Sequence, residues 1–290
     1  MIKVLTRLLC LVGISAMSVA SYAIDIPPGQ GIAPPPGKSS IRFEVNSVRV
    51  GEKYRDSESL NTGSELEFNS LGIQYSRSLM IKDRLAGFYV NSSVASAVPG
   101  GSIAAQGDAS GITDSAAALV TWLHADKAKG RYVVFGGFVV VPTGDYDSDR
   151  AINFGGNRFA GGFQLGYHTR LAKKWDGMVT TDVMFTTKND DYRITHQTYE
   201  QDPLYSMQFT LMHNIDPSLM LSATYYIYRG GAGHLDGVAM DNDVSRNRYE
   251  MVLSKRVKSA KYYLFVGKDN DTANGFIEDR RVSLRYQYYF

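Results

Sequence analysis

Few side chains of this 290-residue sequence have the types and spacing that metal binding requires. The sequence has five histidines, which are His124, His168, His196, His213 and His234. No two of them stand two or four residues apart beside a carboxylate, so they do not form a typical metal-ligand motif. The motifs Asp241-Asn242-Asp243 and Asp269-Asn270-Asp271 lack the ligand spacing of a calcium loop. We therefore expect no metal and no other cofactor.

Nucleophilic catalysis has weak support in the sequence. There is no Gly-x-Ser-x-Gly elbow and no Gly-x-x-x-x-Gly-Lys phosphate loop. His168, which shares one face of a predicted strand with Gln164, is the one mild candidate for a catalytic group. We expect that the protein is not an enzyme, and a barrel-embedded enzyme that acts on lipid through His168 stays open as an alternative.

Polar and charged side chains instead recur at every second residue of otherwise apolar segments. In Phe163–His168, for example, apolar residues alternate with small or polar ones. A period of two, combined with many β-branched and aromatic residues, predicts strands with one apolar and one polar face. The polar faces supply the candidate lumen residues of a solute pathway, which are Arg42, Glu44, Gln164, His168, Asp182, Arg248, Glu250, Arg281 and Arg285.

The alternation predicts twelve strands of roughly 9–13 residues, the length that a tilted strand needs to cross a bilayer. They lie near residues 40–50, 65–77, 84–93, 115–123, 131–141, 158–170, 175–187, 204–213, 219–229, 244–256, 261–268 and 278–290. Long connections at 51–64, 94–114, 142–157, 188–203, 230–243 and 269–277 alternate with short ones at 78–83, 124–130, 171–174, 214–218 and 257–260. Short periplasmic turns and long outer loops are typical of outer-membrane barrels. We therefore expect an all-β fold, a transmembrane up-and-down antiparallel β-barrel of about 12 strands over residues 40–290.

The last strand indicates how such a barrel would close. An apolar residue stands at every second position, in the order Val282, Leu284, Tyr286, Tyr288 and Phe290. An open edge this long and apolar invites aggregation, and pairing with the first strand removes it. The strand resembles the assembly signal of bacterial outer-membrane proteins, so we expect the barrel-assembly machinery to recognise it through Phe290.

The second predicted strand changes phase along its length. Leu66 and Phe68 lie on one parity, whereas Leu71, Ile73 and Tyr75 lie on the other. If all of them face lipid, a β-bulge near Asn69-Ser70 must shift the register. We therefore predict a bulge at that point.

The N-terminus has the features of an export signal. In residues 1–23, a basic start and an apolar stretch precede Ser21-Tyr22-Ala23, which fits a signal-peptidase site. Cys10, the only cysteine, lies in this segment, so we expect no disulfide in the exported protein. Residues 24–39 hold five of the nine prolines, and we interpret them as a flexible periplasmic leader. A segment that reaches into a pore is the alternative.

The charges of the exported chain balance. The 31 Lys and Arg include Lys3 and Arg7, so removal of the signal peptide leaves 29 basic against 29 acidic residues. This lack of a basic excess argues against a nucleic-acid partner. We expect a monomer that contacts the lipid of a Gram-negative outer membrane, with a lumen of weak ion selectivity.

Four motifs follow one another in the middle of the chain. They are Pro142-Thr143-Gly144-Asp145-Tyr146, Asn153-Phe154-Gly155-Gly156-Asn157-Arg158, Lys174-Trp175 and Asn189-Asp190-Asp191-Tyr192. In this order they resemble the family of outer-membrane transporters named for the meta-cleavage pathway of phenol degradation. The resemblance covers most of residues 40–290 and is weakest over 51–115. It implies uptake of small organic solutes, aromatic or apolar, by passive or facilitated diffusion, and it does not identify binding residues.

The loop between two of these motifs has its own physical features. Its candidate residues are Pro142, Gly144, Asp145, Asn157 and Arg158. Proline ends a strand ladder, and the glycines at 144, 155 and 156 permit tight turns with positive φ. Arg158 is expected to pair with Asp145, Asp147 or Asp149. Such pairing would fold the loop over the barrel mouth as a constriction or lid, and a plain surface loop is the alternative.

A channel for a small organic solute is the function that these observations favour. Besides the enzyme named above, a structural or adhesive barrel that binds partners through its outer loops remains an alternative. Barrels of about 8 strands are filled and those of about 16–18 strands are open. The sequence therefore leaves both an open and a plugged lumen possible, and it leaves the choice between axial and lateral exit open.

Overall fold

Twelve long strands form one antiparallel sheet that closes on itself. The computed structural model describes residues 25–290, and the predicted signal peptide lies outside them. In chain order the strands are β1 (Ser39–Arg55), β2 (Ser64–Ile81), β3 (Arg84–Gly101), β4 (Ser115–Asp126), β5 (Arg131–Val141), β6 (Ala160–Ala172), β7 (Trp175–Thr186), β8 (Leu204–Asn214), β9 (Leu219–Gly230), β10 (Val244–Val257), β11 (Ala260–Thr272) and β12 (Gly275–Tyr289). The predicted twelve-strand transmembrane up-and-down barrel is confirmed. Across residues 25–290, no helix has the length and apolar character needed to cross a membrane.

The barrel closes where its first and last strands meet. Strand β12 pairs antiparallel with β1, from Ser40 opposite Tyr289 towards the other end of both strands. The amide of Ser39 donates to the carbonyl of Phe290 at 2.9 Å, and the amide of Phe290 donates back at 3.0 Å. The apolar positions of β12 point outward, because Leu284, Tyr288 and Phe290 are exposed. No backbone edge of the main sheet is thus left to lipid along this seam, as a membrane-spanning sheet requires.

The connections define two different ends of the barrel. Strands β2–β3, β4–β5, β6–β7, β8–β9 and β10–β11 are joined by short turns, and we call this side the turn end. The opposite side, the loop end, carries the long connections 56–63, 102–114, 142–159, 187–203 and 231–243. The prediction of a long connection at 269–277 is wrong, because β11 and β12 continue beyond the predicted limits and only residues 273–274 join them. Buried ion pairs of Asp269 and Glu278 with Arg246 accompany this extension.

Short strands build up the loop end. Glu58–Ser59 pairs with β1, Ala109–Ile112 pairs with β3, and a single 3-10 turn lies at Ala104–Gln106. A separate small sheet at this end consists of Asn189–Tyr192, Gln197–Gln201, Gly233–Leu235 and Val238–Ala239. The small sheet joins the β7–β8 connection to the β9–β10 connection, so two long loops form one wall.

Side chains alternate between the outside and the interior along each barrel strand. Phe163, Leu165 and Tyr167 of β6 are exposed on the outside, whereas His168 is 2% exposed. Successive side chains of a strand point to opposite faces, so one period-two pattern produces an apolar wall and a polar lumen. The barrel exterior is therefore suited to lipid, and its interior collects the charged residues.

The predicted bulge in β2 is wrong. Strand β2 pairs with β1 and with β3 in unbroken register through Asn69 and Ser70. Leu66 and Phe68 instead face the interior and are buried, whereas Leu71 faces outward and is 51% exposed. The phase changes because the apolar side chains of β2 face the barrel interior at the loop end and face lipid farther along the strand.

Replacement of these two kinds of apolar residue should have unequal costs. Phe68→Ala leaves a cavity inside the barrel, and we expect it to lower the free energy of unfolding by about 3–5 kcal/mol. Leu71→Ala should cost clearly less, because lipid chains can fill the space on the outer face. Urea-induced unfolding of both variants in liposomes measures the difference. Equal losses at the two positions would contradict the continuous register.

Candidate functional site

The N-terminal leader lies inside the barrel. The indole Nε1 of Trp122 donates to the carbonyl of Gly31 at 3.0 Å, and the amide of Ile26 donates to Oε1 of Gln208 at 3.2 Å. A Cβ at Gly31 would lie 3.1 Å from the Cβ of His168, so the backbone approaches the wall closely there. The leader thus follows the lumen from Asp25 to the start of β1. The preferred interpretation as a flexible periplasmic leader is wrong, because its polar groups have partners on the inner wall.

A cluster of aromatic and charged side chains holds Asp25, the first described residue of this leader. The hydroxyl of Tyr228 donates to Oδ1 of Asp25 at 2.9 Å, and the guanidinium of Arg248 forms an ion pair with the same carboxylate. Arg248 also lies over the ring of Tyr226 at 4.1 Å, and the Tyr226 hydroxyl donates to Glu250 at 2.9 Å. Of the two predicted lumen residues in this cluster, Arg248 anchors the leader directly, whereas Glu250 binds Tyr226 beside it.

A second cluster lies at the closing seam. The Nε of Arg285 donates to Oε2 of Glu44 at 2.6 Å, and the Nε of Arg42 lies 3.7 Å from the same oxygen. Arg285 also lies over the ring of Phe265 at 4.5 Å. The predicted lumen residues Arg42, Glu44 and Arg285 thus form one ion-pair group between β1 and β12. In this group the Glu44 carboxylate neutralises one positive charge across the seam.

A third charged group was not predicted from the sequence. Arg246 pairs with Asp269 and with Glu278, both at 2.7 Å, and Arg281 pairs with Glu278 at 2.7 Å. Arg281 was a predicted lumen residue, but its partner Glu278 was not, and Asp269 lay in the segment expected to be a loop. The alternation of Arg246 with Arg248 in β10 was the signal that could have identified this group.

The remaining predicted lumen residues lie on β6 and β7. Asp182 stands opposite Gln164 in the register and accepts a hydrogen bond from the hydroxyl of Ser206. His168 lies with its Nε2 3.8 Å from Oδ1 of Asp176, and its ring packs at 5.7 Å from that of Tyr132. These contacts favour a packing role for His168 against the leader rather than a catalytic one.

An apolar group narrows the interior at the loop end. Ile152 and Phe154 of the 142–159 connection are buried against wall residues. These wall residues are Val48, Val50, Leu66, Phe68, Ala95 and Ala97. The ring of Phe154 lies 6.2 Å from that of Phe68. The loop therefore folds into the barrel, and we call this group the apolar constriction.

Close backbone contacts fix this inward loop. A Cβ on Gly144 would lie 2.7 Å from the Cα of Gly155, so the two segments of the loop that meet there have no room for a side chain. Asp145 continues the sheet pattern, because its amide donates to the carbonyl of Ile112 at 2.8 Å and its Oδ2 accepts from the Ile112 amide at 2.9 Å. The expectation of positive φ at the loop glycines is wrong, since Asn157 is the residue of this loop with positive φ, at 50°.

Asp114 is the hub of the loop. Its Oδ1 accepts from the amide of Gly144 at 2.9 Å, and its Oδ2 accepts from the amide of Gly156 at 2.8 Å. Burial raises the pKa of the Asp114 carboxyl above its usual value, and these two amide donors oppose that rise. The Asp114 carboxylate lies just before β4 and binds both ends of the 142–159 connection. The first of these ends comes directly after Pro142, where β5 has ended.

Arg158 does not form the predicted ion pairs. Its NH2 donates to Oε1 of Gln201 at 2.6 Å and its NH1 donates to Oγ1 of Thr186 at 3.3 Å. Two of the three expected partners are engaged elsewhere, since Asp145 accepts from the amide of Ile112 and Asp147 pairs with Arg150 at 3.3 Å. Arg158 therefore ties the loop to the small sheet, and it lines a cavity of about 170 Å³ that opens at the loop end. We call this space the mouth cavity.

Comparisons with known proteins agree with this architecture. The family model described as "Putative MetA-pathway of phenol degradation" matches residues 37–286. No curated protein matches the chain significantly.

Solved structures share the fold. An outer membrane channel of Pseudomonas putida F1 is 23% identical, with a TM-score of 0.88 over 92% of this chain and 100% of that one. The beta domain of the Bordetella autotransporter BrkA has 13% identity and a TM-score of 0.51 over 87% and 99% of the two chains. The transport unit of AIDA-I from Escherichia coli has 8% identity and a TM-score of 0.51 over 95% and 96%. At these identities the likeness supports the barrel fold.

The two stacked tyrosines of β9 provide a matched test of the leader anchor. Tyr228→Phe removes the hydroxyl that binds Asp25, and we expect it to weaken the hold on the leader by about 1.5–3 kcal/mol, because the acceptor is charged. Tyr226→Phe removes a similar bond to Glu250 and leaves the contacts of the leader in place. Single-barrel conductance in planar bilayers should show longer or more frequent open events for the first variant than for the second. Identical traces would contradict the anchor.

Proposed function

The chain belongs to the family of the MetA pathway of phenol degradation, and from this premise we propose that it is an outer-membrane channel for small organic solutes. The carrying observation is a closed barrel with an apolar exterior and a polar interior that contains the leader segment of its own chain. Passage would be by passive or facilitated diffusion down a concentration gradient. The solute class we propose is aromatic or apolar.

The apolar constriction supports this solute class. Ile152 and Phe154 oppose six apolar wall residues at the loop end of the lumen. A narrow apolar segment disfavours strongly hydrated solutes such as sugars and free ions, since their water must be removed for passage. Apolar or aromatic molecules carry a smaller desolvation cost. The family name, which refers to phenol degradation, points in the same direction.

The placement in the outer membrane is part of the proposal. Residues 1–23 have the features of a secretory signal peptide, and the turn end would then face the periplasm while the loop end faces outward. We propose that Phe290 and the strand before it engage the assembly machinery. Closure of the sheet within a single chain supports a monomer as the functional unit.

Deletion of the leader tests the channel directly. Removal of residues 26–33 keeps the signal segment and Asp25 in the sequence. We expect this deletion to raise the conductance and the rate of solute-driven liposome swelling. The reason is that this segment occupies the lumen and hydrogen-bonds to Trp122 and Gln208. Benzyl alcohol, phenol and glucose are suitable solutes for purified protein. If neither the full barrel nor the deletion variant passes any solute, the channel proposal fails.

Two phenylalanines of one connection test the apolar constriction. Phe154→Ala should increase the flux of larger apolar solutes, because Phe154 is 5% exposed inside the barrel. Phe159→Ala is the matched control, since Phe159 is 51% exposed on the outside. Swelling rates with a series of substituted phenols measure the change. Equal rates for both variants would show that Phe154 does not restrict passage.

A further inference from the structure

The mouth cavity has an unbalanced set of charges. Its lining includes five cationic side chains and one carboxylate, which are Lys53, Arg55, Arg150, Arg158, Arg193 and Asp241. A concave space lined mainly by one sign of charge concentrates solutes of the opposite sign. This imbalance is local, because the exported chain as a whole has equal numbers of basic and acidic residues. The cavity is therefore suited to an anion.

Arg158 is the cation best placed to bind that anion. Its two hydrogen bonds go to neutral oxygens, on Gln201 and Thr186. Asp114 is near enough to favour the charged guanidinium, yet both oxygens of this carboxylate accept backbone amides. Within residues 25–290, no carboxylate oxygen lies close enough to Arg158 to form an ion pair, for which the limit is 4.0 Å. Burial lowers the pKa of the guanidinium, as expected for a partly buried charge that lacks a close counter-ion.

Aromatic rings stand beside this guanidinium. The rings of Tyr192 and Tyr199 stack at 4.6 Å with an interplanar angle of 18°. Arg158 lies over Tyr199 at 4.8 Å, and Arg193 lies over Tyr192 at 5.0 Å. The small sheet fixes this arrangement, because Tyr199 pairs in register with Asn189 and with Leu235. Both tyrosines are buried but line the mouth cavity. A solute ring can therefore contact them from the cavity side, next to the fork of donors that the guanidinium offers a carboxylate.

A smaller pocket continues from Arg158 towards the apolar wall. It is lined by Asp114, Val140, Gly156, Arg158, Ala160, Met184 and Thr186. This pocket has room for about one water molecule, so a solute whose carboxylate binds the guanidinium must place its ring on the tyrosine side. The tyrosine side offers no comparable site for a small hydrated anion.

From this arrangement we propose that the mouth cavity is a binding site for aromatic carboxylates, with Arg158 as the carboxylate-binding group and the Tyr192–Tyr199 stack as the aromatic wall. The site deepens the proposed function and rests on it for its role, which is to collect such solutes at the entrance of the channel. Benzoate is the simplest probe of this chemistry.

Ligand-observed NMR titrations of the purified full-length barrel test the site with benzoate, benzyl alcohol, acetate and inorganic phosphate. We expect benzoate to bind at least about 10-fold more tightly than the other three, because only benzoate has both the ring and the carboxylate. Arg158→Gln should weaken benzoate binding by about 10-fold, and Arg158→Lys should restore part of the loss, because it keeps the charge without the fork. Arg170→Gln, the matched control, should have little effect, because Arg170 lies outside the cavity lining and already pairs with Asp176.

Two further variants separate binding from structural support. Gln201→Ala removes the bridge between Arg158 and the small sheet, and it should retain most of the benzoate affinity if the guanidinium itself binds the carboxylate. Tyr199→Leu should reduce the preference for benzoate over acetate. Heat-modified gel migration confirms that each barrel is folded. Equal losses in Gln201→Ala and Arg158→Gln would assign Arg158 a structural role and overturn the proposal.

Liposome swelling on the same preparations distinguishes this proposal from the channel proposal. Solute flux without Arg158-dependent benzoate binding would overturn the site and leave the channel standing. Arg158-dependent benzoate binding without flux of any solute would support the site and contradict the channel. Preferential binding of phosphate over benzoate would identify a general anion site and also overturn the aromatic assignment.

Discussion

The structure depends on one constraint, which is that a sheet in hydrocarbon cannot leave backbone amides and carbonyls unpaired. The pairing of β12 with β1, down to the reciprocal hydrogen bonds of Ser39 and Phe290, satisfies it. Once the sheet is closed, the side-chain alternation of every strand is fixed. The outward set must be apolar, and the inward set becomes a separate environment in which charges are tolerated only with partners.

The interior charges meet this second requirement through local pairing. Arg285 with Glu44, Arg248 with Asp25, and Arg246 with Asp269 are each neutralised across neighbouring strands or by the leader. Buried ion pairs of this kind contribute little net stability compared with apolar packing, but removal of one partner is costly. The leader is thus bound into the electrostatics of the wall, because Asp25 is the carboxylate that Arg248 contacts. A free leader would leave that guanidinium with less compensation.

The strands were predictable because lipid dictates the outer pattern. Phe163, Leu165 and Tyr167 alternate with inward residues for a reason that is local to the strand, so the period of two could be read without a structure. The interior is not subject to this rule. Leu66 and Phe68 are apolar and face inward because a loop about 85 residues away in sequence packs on them, which no local pattern contains. The bulge was a wrong explanation of a correct observation.

The same limit applies to the candidate site. Nine lumen positions followed from parity, and the structure directs them inward, but not all of their partners followed. Asp269 lay in a segment that looked like a loop, and Glu278 stood at the very start of the last predicted strand with no indication of its partners. Arg158 was identified from its motif, whereas its neighbours Tyr199 and Gln201 belong to another connection. Parity gives the direction of a side chain, and only tertiary structure gives its contacts.

The composition that made the leader look like a free linker also suits it to the lumen. Each residue other than proline brings a backbone amide that needs an acceptor when it is buried, and a segment outside the strand ladder has few acceptors to offer. Five prolines in 24–39 reduce the number of amides to satisfy, and Pro28 is fully buried. The remaining contacts are discrete, such as Ile26 to Gln208 and Trp122 to Gly31, rather than a continuous ladder. A segment held in this way can fill a polar lumen and still leave it without unzipping a sheet, which is the physical property that an internal plug of a channel needs.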